Sequence, residues 1–230
     1  VSFKPNSIEI LKVANLRKQA GFIISRFYDE PSKTMKLIGV TGTNGKTTVS
    51  YMIAYALYVL GKKSAVIGTL GYGQFQQLEA STSTTPDPVT LHSLFSSWRD
   101  EVDFVAMEVS SHALDQGRVA GAEFDTAVFT NLTRDHMDYH KTIEEYADAK
   151  FSLFKSPDLN NGIVNFDNNY GAQLIDSLPS TLNVVVYSTK QNLSNLSNKD
   201  VAFVYCKKNE VNNLNSTITI DSSWGQAIVQ

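Results

Sequence analysis

Residues 36–48, Lys-Leu-Ile-Gly-Val-Thr-Gly-Thr-Asn-Gly-Lys-Thr-Thr, restrict this chain more than any other segment. An apolar run ends in a turn of glycine, threonine and asparagine, and the turn ends in Lys46 and Thr47. Residues 49–60 then carry apolar side chains at helical spacing. Strand, glycine loop and helix in that order form the context of a phosphate-binding loop. Backbone N–H groups from Gly42, Thr43, Asn44, Gly45 and Thr48 would close on phosphate oxygens. Lys46 would neutralise β/γ-phosphate charge, and Thr47 would place its hydroxyl on Mg²⁺. The common form of the motif has glycine five residues before Gly45; this chain has Val40 there, with Gly39 and Gly42 on either side. ATP is the expected ligand, in a subgroup of ATP users.

A loop of this kind belongs to an α/β fold, and the rest of the chain agrees. Short apolar strands are expected at 36–41, 64–69, 103–109, 126–131, 162–165 and 182–187, and helices at 47–60, 88–99 and 143–154. Strands alternating with helices predict a P-loop-type, mostly parallel sheet with helices on both faces. Ligands on such sheets gather at the carboxyl ends of the strands, where the loop, Glu108 and Asn131 all fall. Residues 1–35 carry two weak helical patterns and then a turn-like linker. Residues 192–198 are rich in serine and asparagine and read as a loop. Beyond them, 201–206, 216–220 and 226–229 read as a short antiparallel extension at the sheet edge.

Composition removes other classes. A net charge of −3 offers no basic surface for nucleic acid. One cysteine, Cys206, cannot make an internal disulfide, which fits a reducing compartment. No apolar run approaches the ~20 residues that span a bilayer, and the first residues carry no signal-peptide pattern. A cytoplasmic, monomeric protein acting on small molecules is expected.

Three further clusters could carry chemistry, and each of their residues taken alone also suits a plain polar place in a loop or helix cap. Residues 82–87, Thr-Ser-Thr-Thr-Pro-Asp, put hydroxyls in a turn before a helix; this suits an anion, and equally a helix cap with proline at its start. Residues 104–114 deliver Glu108 at a strand end, followed by Ser110, Ser111 and His112, with Gln116 and Arg118 close behind. A carboxylate there suits the Mg²⁺ of a nucleotide, and an arginine fork suits carboxylate or phosphate. Residues 131–140 follow another strand and hold His136 and His140. Their spacing would suit zinc on a helix, but Met137 stands where a metalloprotease has glutamate, so a histidine near an ATP-bound metal is the better reading. In 143–154, Ile143, Tyr146, Ala147, Phe151 and Phe154 mark a buried stripe. Lys150 borders it and reads, from the residues alone, as a lysine snorkelling to solvent.

Together these segments resemble the Mur ligases. The residues that carry the resemblance are 41–48, Thr84-Thr85-Pro86, Glu-Val-Ser-Ser-His-Ala-Leu at 108–114 with Gln116 and Arg118, 131–140 and 146–154. The phosphate loop is common to all Mur ligases and to folylpolyglutamate synthases. The 108–118 segment resembles the type that adds the third residue of the peptidoglycan stem peptide. That resemblance implies an ATP-dependent ligase joining meso-diaminopimelate or L-lysine to UDP-N-acetylmuramoyl-L-alanyl-D-glutamate through an acyl phosphate. It implies nucleotide contacts from Gly42 to Thr48 and Asn131, and catalytic work by Lys46, Glu108, His136 and Lys150. Mg²⁺ would be held by Thr47, Glu108, His136 and Lys150, the last as a carbamate. Substrate contacts would come from Thr84, Thr85, Ser110, Gln116 and Arg118. It also implies a domain plan: 1–35 as the remnant of an N-terminal UDP-binding domain and linker, 36–230 as a central ATP-binding domain truncated at its C-terminal end, and no C-terminal ligase domain. Alone, such a piece is expected to be inactive. A folylpolyglutamate synthase, another Mur ligase and a non-catalytic nucleotide-binding module are the competing readings.

Overall fold

The structure, a computed structural model, describes residues 12–194, 196, 201–211 and 216–229. The first eleven residues of the expected N-terminal remnant, and residues 195, 197 and 198 of the Ser/Asn-rich loop, lie outside the described residues.

Among the described residues, strand β1 (Lys36–Thr41) lies in the interior of a ten-stranded sheet. Its parallel neighbours are β4 (Phe104–Glu108) and β5 (Phe124–Phe129). Beyond β4 come β2 (Ser64–Gly68) and the antiparallel edge strand β3 (Gly71–Gln74). Beyond β5 come β6 (Asn161–Asn165), β7 (Asn183–Ser188) and β8 (Ala202–Val211), all parallel, and then β9 (Ser216–Ser222) and β10 (Gly225–Val229), both antiparallel. The chain leaves β1 toward one side and reaches β5 on the other. The crevice where such a sheet binds ligands therefore opens at the carboxyl end of β1, between β4 and β5.

Alternating residues of the central strands bury on opposite faces. Ala65, Ile67, Val105 and Met107 share a core with Leu91, Phe95 and Trp98 of α3 (Pro88–Trp98), Tyr146 and Ala147 of α5 (Ile143–Phe151), and Leu174 of α6 (Asn169–Ser177). Val66 and Ala106 meet Ala54 of α2 (Lys46–Val59) on the other face, together with Phe75. Burial on both faces is why these strands read as near-continuous apolar runs. Helix α2 fully buries only Ser50 and Ala54, small residues one turn apart that let it lie close on the sheet; Tyr51, Tyr55 and Tyr58 fan around Phe75 at its rim. Helix α1 (Leu16–Phe27) packs on the same body: a Cβ at Gly21 would stand 2.2 Å from the Ala120 carbonyl oxygen, and Ser25 Oγ donates to Gly121 O at 3.0 Å.

The expected sheet is present, with adjustments. Strand β5 starts at Phe124 and ends at Phe129, so Thr130 and Asn131 leave the ladder. Strand β8 pairs in parallel with β7 before it turns to β9, so the antiparallel extension begins one strand later than expected. The last turn of the helix expected at 143–154 tightens into a 3-10 turn at Ser152–Lys155. Strand β3, the short helix α4 (Ser111–Asp115) and α6 were not anticipated. Helix α6 carries Gly171 in its interior, which weakens the sequence signal; a Cβ there would come within 1.9 Å of Asn165 O.

Candidate active site

The loop after β1 turns on two glycines. Gly42 has φ +147°, and a Cβ on it would stand 1.9 Å from Thr130 Oγ1; Gly45 has φ +85° and opens α2. Both positions favour glycine. Gly45 caps α2 without a side chain, so the first amides of a fourteen-residue helix face the loop at its positive pole. Asn44 and Thr48 are exposed there. Lys46 Nζ donates to the carbonyls of Gly42 (3.0 Å) and Thr43 (2.8 Å), and burial lowers its pKa, opposed by Glu108 and Asp135.

The segment past β5 is laced to this loop. The Asn131 side chain spans the Asn44 peptide groups, accepting from Asn44 N and donating to Asn44 O, each at 3.0 Å. Thr130 Oγ1 also donates to Asn44 O, at 2.7 Å. Thr43 N donates to Asn131 O at 2.8 Å, while Thr43 Oγ1 donates to Thr133 O and accepts from Thr133 N. Thr43 Oγ1 also meets Tyr146 Oη at 3.2 Å.

Glu108 joins this centre to the next loop. It is 1% exposed, and its two carboxylate oxygens accept from Thr47 Oγ1 (2.9 Å) and Thr69 N (2.7 Å). Gly68 makes room for it, since a Cβ there would stand 2.3 Å from Glu108 Oε1. Its carbonyl accepts from Thr85 Oγ1 at 2.9 Å, and Thr85 Oγ1 accepts from Ser110 N at 3.1 Å. Arg118 donates to Thr85 O at 3.1 Å and to Gln116 Oε1 at 2.8 Å. Thr84 Oγ1 lies 3.1 Å from Thr69 Oγ1. All five expected substrate residues thus gather at the carboxyl end of β4. The turn that contributes Thr84 and Thr85 is a helix cap as well: Asp87 accepts from Val89 N and Thr90 N, with Pro88 opening α3. Ser110 likewise caps α4 through Ala113 N.

The histidines form an aromatic group beside these loops. His112 lies 4.8 Å from His136 and 4.1 Å from Tyr139 between ring centres, and His140 lies 5.2 Å from Tyr146. The side chain of His136 meets Asp135, His112 and Tyr146, not Thr47 or Glu108. With φ +52°, His136 is not helical, so the zinc-like spacing to His140 is not on a helix. His140 Nε2 is engaged by Ser111 Oγ at 3.0 Å. Among the described residues no group of three or more His, Cys, Asp or Glu is arranged to hold a metal ion. Burial lowers the pKa of both His112 and His140.

Lys150 corrects the reading made from its neighbours in sequence. It does not snorkel: it is 1% exposed at the centre of the α5 stripe. Its Nζ lies 4.3 Å from the centre of the Tyr146 ring and donates to Gly42 O at 2.8 Å. Gly42 O thus accepts from two lysines. Burial first, and the nearby Lys46 cation second, bring the Lys150 pKa down to about 7. Ser111, named only within the 104–114 cluster, is given a partner in His140, whereas Tyr146, Tyr139 and Thr69 were not anticipated as parts of the site. The four-residue step from Tyr146 to Lys150 was the available signal, because it stacks one side chain on the other along a helix. A separate cavity of about 670 Å³ lies between α1, residues 117–124 and residues 152–158, and none of the candidate site residues lines it.

Fold and site together define an α/β domain with a glycine loop of phosphate-binding form at the exit of its central strand, and comparison with known proteins specifies it. A family model described as the Mur ligase middle domain matches residues 40–224, and the chain belongs to that family. UDP-N-acetylmuramoyl-L-alanyl-D-glutamate--2,6-diaminopimelate ligase of Pseudomonas aeruginosa is 44% identical over 205 residues, 89% of this chain and 40% of that protein. The protein of the same name from Coxiella burnetii is 47% identical over 182 residues, 79% of this chain and 37% of that protein. A solved structure of a ligase of that name superposes with a TM-score of 0.84 at 30% identity, over 96% of this chain and 44% of its own. A Mycobacterium tuberculosis folylpolyglutamate synthase complexed with ADP shares the fold, with a TM-score of 0.66 at 14% identity, over 91% of this chain and 52% of its own. The chain therefore spans about two fifths of the length of the curated relatives it matches.

Proposed function

We propose that this chain carries the ATP-dependent centre of a ligase that joins 2,6-diaminopimelate to UDP-N-acetylmuramoyl-L-alanyl-D-glutamate. The relatives' names supply the acceptor and the donor. The observation that carries the reading is Glu108, whose side chain bonds Thr47 of the phosphate loop while its carbonyl bonds Thr85 of the loop that holds Arg118.

In this reading the phosphate-loop amides and Lys46 hold the β- and γ-phosphates of ATP. Arg118, Thr84, Thr85, Ser110 and Gln116 hold the D-glutamate end of the muramoyl dipeptide with one carboxylate oxygen toward the γ-phosphorus. That oxygen attacks phosphorus, the bond to the ADP oxygen breaks, and an acyl phosphate results. The amine of the incoming amino acid then attacks the acyl carbon, loses a proton and expels inorganic phosphate. Lys46 offsets the negative charge that gathers in the first step.

The donor set fits Mg²⁺: Glu108 and Thr47 present oxygens only, and a nucleotide-bound magnesium needs one or two protein oxygens besides phosphate. Thr47 and Glu108 would hold one ion, and His136 with Lys150 as a carbamate a second. Bound magnesium supplies charge neutralisation on the phosphates. Burial, which brings the Lys150 pKa down to about 7, favours the neutral amine, whose lone pair would attack CO₂ with loss of a proton to give the carbamate.

Among the described residues no helix is long and apolar enough to cross a membrane. A monomeric, cytoplasmic enzyme belongs to the same reading. The test is ATP-dependent phosphate release by the intact protein, with and without the UDP-linked dipeptide. Release that requires both the dipeptide and diaminopimelate is the expected result.

A further inference from the structure

The four carbonyls from Thr130 to Thr133 form no ladder, yet each has a donor. Thr43 serves two of them, through its N–H on Asn131 and its hydroxyl on Thr133. The other two are held from behind by side-chain amides of the segment leaving β6: Asn165 Nδ2 donates to Thr130 O at 2.6 Å, and Asn168 Nδ2 to Leu132 O at 2.9 Å. Each amide is fixed at its oxygen end too. Asn165 Oδ1 accepts from Asp167 N at 2.9 Å, and Asn168 Oδ1 accepts from Tyr170 N at 3.1 Å as the cap of α6. Neither amide is free to flip, because turning it would set oxygen against a carbonyl. Asp167 between them is anchored on the next strand exit, accepting from Ser188 Oγ, from Thr189 N (2.8 Å) and Thr189 Oγ1 (2.7 Å), and from Lys190 N (3.3 Å).

We propose that Asn165 and Asn168 are positioning residues for the nucleotide loop, acting through the Thr130 and Leu132 carbonyls. The segment they hold is the one whose Thr130 and Asn131 side chains fix Asn44, and whose carbonyl fixes Thr43. The phosphate loop is thereby braced from β6 and β7 as well as from β1. The inference rests on the nucleotide-site reading above for its effect on ATP, but not for its effect on the loop.

The test uses Asn165→Asp and Asn168→Ser in the intact protein. The first keeps an acceptor for Asp167 N and turns a carboxylate oxygen on Thr130 O. The second keeps a capping oxygen for Tyr170 N and loses the reach to Leu132 O. Asn160→Ala is the control: Asn160 Nδ2 donates to Asp125 Oδ1 at 3.1 Å at the opposite end of the sheet. Amide hydrogen exchange over residues 41–46 is read first, then the dissociation constant for Mg-ATP. In both variants we expect exchange in 41–46 at least ~5-fold faster and ATP bound ~5-fold more weakly, about 1 kcal/mol. The Michaelis constant for the UDP-linked dipeptide should stay within about twofold, and Asn160→Ala should change neither quantity. Unchanged exchange in 41–46 in folded Asn168→Ser protein overturns the proposal. Absence of Mg-ATP binding by the unsubstituted protein would overturn the functional reading instead, while the exchange still decides whether the brace exists.

Discussion

At the scale of single residues, two side chains owe their character to what surrounds them. Glu108 needs the missing side chain at Gly68, where a Cβ would stand 2.3 Å from its carboxylate. Gly68→Ala should displace the carboxylate from Thr47 and Thr69, with a ~100-fold fall in kcat, about 2.7 kcal/mol of barrier. Phosphate release by the variant, with a circular-dichroism check that it is folded, measures this. Lys150 gives a pH signature. Its folded pKa is about 7, against an ordinary value of 10.5, so between these values the unfolded chain binds more protons than the folded one. Stability from this residue therefore rises as pH climbs from about 7 toward 10.5, and is at its lowest below 7. In CO₂-free buffer, Lys150→Met should be more stable than the parent at pH 7, and that advantage should shrink by pH 10. Parallel melting curves across that range would contradict the burial account. The lysine also marks where residue-level reading stopped: its long stem suits a snorkelling role as well as a buried one, and only the meeting of α5 with the Gly42 carbonyl decides.

At the scale of elements, the candidate binding residues sit at helix starts. Asp87 caps α3 with two amide bonds and a third bond to the Thr90 hydroxyl (2.7 Å). Asp87→Ala should cost about 1 kcal/mol in urea unfolding. Activity should change little, because Thr84 and Thr85 are held by Thr69, Glu108 and Ser110 instead. Tyr146→Phe keeps the ring under the Lys150 ammonium and removes the hydroxyl on Thr43. It should weaken ATP binding about 3-fold with little change in the pH signature of Lys150, read by titration calorimetry and by the same melting curves. The strands at the centre of the sheet were legible because burial on both faces leaves unbroken apolar runs. Helix α6 and strand β3 were not: one holds Gly71 and Gly73 in four residues, the other Gly171 in nine, and both owe their form to close approach of neighbouring backbone. Likewise, residues Thr130 and Asn131 look like the end of a strand in sequence, and only their bonds to the phosphate loop take them out of it.

At the scale of the molecule, one sheet brings three strand exits to one crevice. The β1 exit offers a phosphate loop, the β4 exit a carboxylate and an arginine, and the β5 exit a brace between them. Membership of the Mur ligase family and 44% identity to a diaminopimelate ligase fit that division of labour. The most direct test is phosphate release from ATP by the intact protein, given UDP-N-acetylmuramoyl-L-alanyl-D-glutamate with diaminopimelate, with lysine or with no amino acid. The account predicts release only with the dipeptide and diaminopimelate together, and its loss in Arg118→Ala. Mg-ATP binding with no release under any of these conditions would contradict it.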